Sequence, residues 1–145
     1  MAAMSDYLEN QLVDHIFRTA TFAKPAAIHL ALFTTLQDDA GTAGVEVTGG
    51  AYARVDMAQG DAGHNGTHGT TTGVSSGTGG ATSNAADLTF PVPTANWGTI
   101  TGIGVYDAAT GGNLLFHSAL TVSKTVNNGD PAPKFLATNL TTTLA

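Results

Sequence analysis

The chain has 145 residues and a mass of 14.6 kDa, which allows one domain built around a single core. Its charged residues amount to 11%, under half of the usual share of about 25%, and its net charge is −6 with only five Lys and Arg. Such a chain lacks the clustered cations that nucleic acid or an anionic lipid surface requires, and without Cys it has no disulfide framework, thiolate metal site or thiol nucleophile.

Residues 5–18 read as a helix. Ser5 is a good N-cap, Asp6 and Glu9 place negative charge in the first turn, and Leu8, Leu12 and Ile16 recur at every fourth position with Val13 and Phe17 beside them. A helix of this length is marginal alone in water. Its apolar stripe is therefore expected to dock on the rest of the domain or to anchor a partner, which makes Leu8, Leu12 and Ile16 candidate interface residues.

After Pro25 the apolar period changes to two. Across 27–34, Ile28, Leu30 and Leu32 alternate with Ala27, His29, Ala31 and Phe33. A second strand starts at Val45 and Val47, is bent by Gly49-Gly50, and resumes over 51–57 with Tyr52, Arg54 and Asp56 on the polar side. Residues 58–85 hold eight Gly, many Thr and Ser, and Val74 as their one large aliphatic side chain. They are expected to form a long flexible surface loop, free to reach neighbours.

Order is expected again from Asp87. Leu88 and Phe90 form a short strand ended by Pro91 and Pro93. A strand over 99–106 is expected to put Ile100 and Tyr106 on one face and Ile103 and Val105 on the other, with Gly102 and Gly104 leaving room for a large neighbour such as Trp97. Residues 107–113 (DAATGGN) are a strong hairpin turn. Strands follow over 114–120 and 122–126, then a turn at 127–130 and a final strand alternating Leu136, Thr138, Leu140, Thr142 and Leu144. The predicted fold is all-β: an antiparallel β-sandwich or jelly roll of seven or eight strands, with one N-terminal α-helix and a long Gly-rich loop. The whole of 1–145 is expected to be one domain, the helix at 5–18 followed by a sandwich over 26–145.

Little in the chain suggests catalysis. Gly73-Val-Ser75-Ser-Gly77 spells a nucleophile elbow, but that motif works between a strand and a helix, and its flanks here are rich in Gly and Thr. His64 and His68 stand four apart, a spacing that holds a metal only on a helix, and the surrounding Gly disfavour one. They are better read as loop residues available for contacts. His29 and His117 fall within strands. No catalytic residue, metal or cofactor is expected.

Several segments recur together in one known family: VEVTGGAYAR at 45–54, DLTFP at 87–91, WGTITGIGVYDAATGGNLL at 97–115 and SKTVNNGD at 123–130, with SDYLENQLVDH at 5–15 and LALFTT at 30–35. Over nearly its whole length the chain resembles small virion proteins of tailed bacteriophages, often labelled tail-fibre proteins. It is also similar in size and composition to jelly-roll cement proteins of phage heads. Its long Gly-rich insert departs from the family pattern. The resemblance implies a structural virion protein, assembled in the host cytoplasm, with no enzymatic activity. The leading expectation is a capsid decoration protein that binds and stabilises the assembled head, with the major capsid protein or further copies of itself as partner. The alternative is a tail-fibre or tail-tip component that binds a receptor or carbohydrate. Neither nucleic acid nor membrane is expected as a partner. Leu8, Leu12, Ile16, Tyr52, Arg54, His64 and His68 are the candidate interface residues.

Overall fold

The computed structural model describes residues 3–57 and 80–144. A two-residue strand, β1 (Ala3–Met4), leads into helix α1 (Asp6–Phe17). Ser5 caps the helix: its hydroxyl accepts the Leu8 amide at 3.2 Å and donates to the Leu114 carbonyl, and its own N–H reaches the Leu115 carbonyl at 3.0 Å. One small buried side chain thus satisfies a helix-end donor and ties the helix to the body of the domain. The apolar stripe docks only in part. Leu8 is buried and Leu12 half-buried, but Ile16 is 66% exposed and Phe17 79% exposed.

The remaining strands are β2 (His29–Thr35), β3 (Val45–Glu46), β4 (Val55–Asp56), β5 (Ala81–Ser83), β6 (Leu88–Thr89), β7 (Gly98–Tyr106), β8 (Leu114–Val126), β9 (Lys134–Phe135) and β10 (Thr141–Thr143). The described residues hold ten strands where the sequence predicted seven or eight. Five of them are two residues long, too short to show a period.

Every pairing is antiparallel. The main sheet runs β1-β8-β7-β2-β3, with β4 also paired to β2, and β10-β5 and β6-β9 form two separate ribbons. Leu30, Leu32, Ile100, Ile103, Val105, Leu115 and Val126 of the main sheet share a core with Leu88 and Phe90 near one ribbon, Leu140 near the other, and Leu8 of the helix. The result is an all-β sandwich with the helix against one end. The alternation expected in β2 is present, but both of its faces are covered: Ala31 and Phe33 pack with Tyr106 and Leu114 in a smaller cluster on the opposite side.

Three expectations need correction. Ile100 lies in the same core as Ile103 and Val105, because a register shift against β8 between Ile100 and Gly102 reverses the alternation. The close neighbours of Gly102 and Gly104 are Leu36 and Phe33, not Trp97; a Cβ on Gly104 would sit 2.9 Å from the Phe33 ring. Trp97 packs edge-on to Tyr52 and donates its indole N–H to the Gly50 carbonyl at 2.9 Å. Strand structure resumes at β5, inside the stretch assigned to the loop, because Thr82 and Ser83 pair with β10 and the fully buried Asn84 anchors the chain just after them.

The final strand is also shorter than predicted. Thr138 has a positive φ of 67°, which breaks the alternation, and of Leu136, Leu140 and Leu144 only Leu140 is buried. The fully buried Asn84 ties this segment down instead. Its amide donates to the carbonyls of Ala86 and Leu136 at 2.8 and 2.9 Å and accepts the Leu140 N–H at 2.9 Å, so 84–86 and 136–140 are joined through a satisfied polar group.

Candidate functional site

The densest polar constellation lies beside the smaller cluster. Gly49, Gly50 and Ala51 all have positive φ, which reverses the chain after β3 and brings Arg54 back alongside Glu46. The Arg54 guanidinium grips both Glu46 oxygens, Nε to Oε1 at 2.8 Å and Nη2 to Oε2 at 2.7 Å. Its Nη1 donates to the carbonyls of Ala108 and Gly111 at 2.9 and 2.8 Å, and its plane lies 3.7 Å from the centre of the Tyr106 ring. The side chain is 7% exposed. A planar five-donor fork is the one side chain that can make all these contacts together.

Two tyrosines complete the node. The Tyr52 hydroxyl donates to Glu46 Oε1 at 3.0 Å and accepts the Leu32 N–H at 2.9 Å. Its ring lies between Phe90 and Trp97, with centroids at 6.2 and 5.4 Å. The Tyr106 hydroxyl accepts from Gln37, whose amide also donates to the Gly41 carbonyl and accepts the Gly44 N–H. Burial raises both phenols above their ordinary range, Tyr52 the further of the two. Burial alone would lower the Arg54 guanidinium, but the hydrogen bonds and charge of Glu46 outweigh it and hold the proton more tightly than usual. Both phenols stay neutral and Arg54 stays charged at neutral pH, and the groups of the node spend their hydrogen bonds on one another and on nearby backbone. The node locks the bend after β3 and the 107–113 hairpin onto the main sheet.

The candidate interface residues separate by position. Tyr52 and Arg54 face inward, in the node. Leu8 and Leu12 pack against the core, whereas Ile16 stands at the open end of α1 with Val13 and Phe17. His64 and His68, like Ser75, lie outside the described residues. His117 sits in β8 with Nε2 2.7 Å from Asp39 Oδ1, and His29 begins β2. Among the described residues no group of three or more His, Asp or Glu could hold a metal, and no helix is long and apolar enough to cross a membrane. Glu46 and Asn84 were not anticipated from the sequence. Glu46 left a usable signal, since a Gly-Gly bend between Glu46 and Arg54 sets opposite charges on converging segments. Asn84 left none, because its burial depends on the ribbon formed far along the chain.

Compared with known protein families, the chain matches the sequence model described as Podophage GP4 fiber I protein gp80 over residues 3–143. The chain belongs to that family. The match runs from β1 through β10, so helix, sheet and ribbons all fall within the family's extent. The protein is accordingly a phage structural protein of the fibre type, in a family of virion proteins. No curated protein matches it.

Proposed function

We propose that this chain is a non-enzymatic module of a tail fibre, which joins the fibre to its neighbours in the virion. The observation that carries the reading is a family match spanning almost every residue of a fibre-type protein. The chemistry of the surface supports it. The best-organised polar groups, Arg54, Glu46, Tyr52, Tyr106 and Gln37, are consumed in holding the fold. The end of α1 carries an apolar group, with Val13, Ile16 and Phe17 exposed together. An exposed apolar patch on a rigid domain serves attachment to other protein subunits.

A capsid decoration role is the second reading. Its support is the low charge density of 11%, which suits close-packed contacts across a symmetric shell. Copy number and position in purified particles separate the two. A fibre module is present in a few copies per particle, is labelled at the tail by antibody, and its loss leaves intact heads that fail to adsorb. Labelling over the head at a copy number matching the shell subunits, with heads that leak DNA when the protein is missing, would establish decoration instead. Turnover of generic ester or glycoside substrates by the purified chain, abolished by Ser75→Ala, would overturn the non-enzymatic assignment.

A further inference from the structure

The turn at 127–130, between β8 and β9, contains the step Asn128-Gly129. The Asp130 N–H donates to the Asn127 carbonyl at 3.1 Å, and the Asp130 carboxylate accepts the Asn127 N–H at 2.7 Å. Gly129, third in the turn, has a φ of 81°, as a type II turn requires. Asn128 and Gly129 are both exposed. The side-chain amide of Asn128 makes no hydrogen bond among the described residues, and nothing lies within 4 Å of the place a Gly129 Cβ would take. A free carboxamide thus precedes a backbone nitrogen that no side chain shields.

Two contacts restrain that nitrogen. The Gly129 N–H donates to the Pro93 carbonyl at 3.1 Å, and the Asn128 N–H donates to Asn96 Oδ1 at 2.9 Å. Pro93 is fully buried, so the first contact fastens the turn to the body of the domain.

We propose that Asn128 is a site of spontaneous deamidation whose rate is set by the contacts of its turn with Pro93 and Asn96. The Gly129 nitrogen gives its proton to water and bonds to the Asn128 side-chain carbonyl carbon. The bond from that carbon to the side-chain nitrogen breaks, and the nitrogen takes up a proton and leaves as ammonia. The five-membered imide so formed takes one water across either of its carbonyl–nitrogen bonds, which leaves aspartate or isoaspartate at position 128. For the ring to close, the Gly129 nitrogen must first leave Pro93 and turn toward its own neighbour.

The product changes the turn. Isoaspartate routes the main chain through its side chain and adds one atom to the backbone, so the four residues no longer present the same donors. The ties to Pro93 and Asn96 are then lost from a segment that also holds the Gly50 carbonyl through the Thr94 N–H and the Val126 carbonyl through the Trp97 N–H, each at 3.0 Å. The converted chain is expected to melt at a lower temperature than the fresh one. Water is the sole co-reactant, so the reaction proceeds in an assembled particle as in the free chain and its product accumulates with age.

The test follows the intact chain and a synthetic peptide of residues 125–134 side by side in one neutral buffer. Trypsin, cutting after Lys124 and Lys134, releases the same stretch from the chain and separates it from the other Asn-Gly step at Asn65, so mass spectrometry reads position 128 by itself. Conversion in the intact chain is expected to be about tenfold slower than in the peptide, the suppression set by two exposed hydrogen bonds that must open first. Asn96→Ala removes the acceptor of one of them at an exposed position and is expected to raise the intact-chain rate several-fold. Asn128→Gln, whose longer side chain closes a ring far more slowly, is expected to remove the product from 125–134. An intact chain that converts as fast as the peptide, or that stays unconverted over several times the period the lower rate implies, would overturn the proposal. So would an Asn96→Ala chain that converts at the wild-type rate, or a product that persists in Asn128→Gln and therefore belongs to Asn127.

Discussion

At the scale of single residues, the fold depends on a few polar side chains that make several contacts each. Arg54 is the clearest: removing it strands the Glu46 carboxylate and leaves the Ala108 and Gly111 carbonyls without donors. Arg54→Ala is expected to lower stability by about 3 kcal/mol in urea unfolding. Arg54→Lys should recover only part of that, because an ammonium cannot span both carboxylate oxygens and both carbonyls. Tyr52 makes a separate prediction about pH. Its phenol is raised above the ordinary value of 10.0, so above that pH the unfolded chain loses a proton that the native chain keeps. Below it the contribution of this group is fully present, and stability falls as pH rises beyond it. Urea midpoints measured from neutral to strongly alkaline pH should show that fall, and Tyr52→Phe should flatten it.

At the scale of elements, the main sheet closes because β7 offers glycine where β2 offers bulk. Gly104 stands opposite Ala31, and its missing side chain makes room for Phe33, Leu114 and Tyr106. A methyl group there would lie 2.9 Å from Phe33 and 3.1 Å from the other two. The rings on that side are held by stacking between Phe33 and Tyr106 at 6.3 Å and cannot withdraw freely. Gly104→Ala is expected to cost about 1–3 kcal/mol through overpacking, read as a lower thermal midpoint. Helix α1 shows the opposite economy. Its first turn is fastened by Ser5 and Leu8, and its last turn projects from the body.

At the scale of the whole molecule, exposed apolar side chains gather where the fold has no use for them. The end of α1, with Val13, Ile16 and Phe17, is such a place, and Val122 of β8 is exposed as well. A particle component needs contacts that are idle in the free chain and filled in the assembly, which stabilises the folded state by mass action. Replacing both Ile16 and Phe17 by Asp is expected to change the stability of the isolated chain by no more than about 0.5 kcal/mol, since neither side chain is buried. The same variant should be depleted from assembled particles in a complementation assay. Normal incorporation would show that the helix end is not an attachment point.

Much of this architecture was legible from local pattern. Ser5 and the charges after it marked the helix start, DAATGGN marked a hairpin that Gly111, Gly112 and Asp107 do form, and the alternation of 27–34 marked a strand. These signals are short-range: they arise from backbone preference and from the period of each element, which neighbouring residues set between them. The turn at 127–130 belongs with them, through Gly129 and the Asp130 carboxylate on the Asn127 amide. Only the tertiary structure decided the pairings between distant segments. The reversal at Ile100 depends on its register with β8, the burial of Asn84 on the ribbon with β10, and the inward turn of Tyr52 and Arg54 on Glu46 and the 107–113 hairpin. Long-range contacts choose which face of a residue is buried, and a strand carries no mark of its partner until the sheet has closed around it.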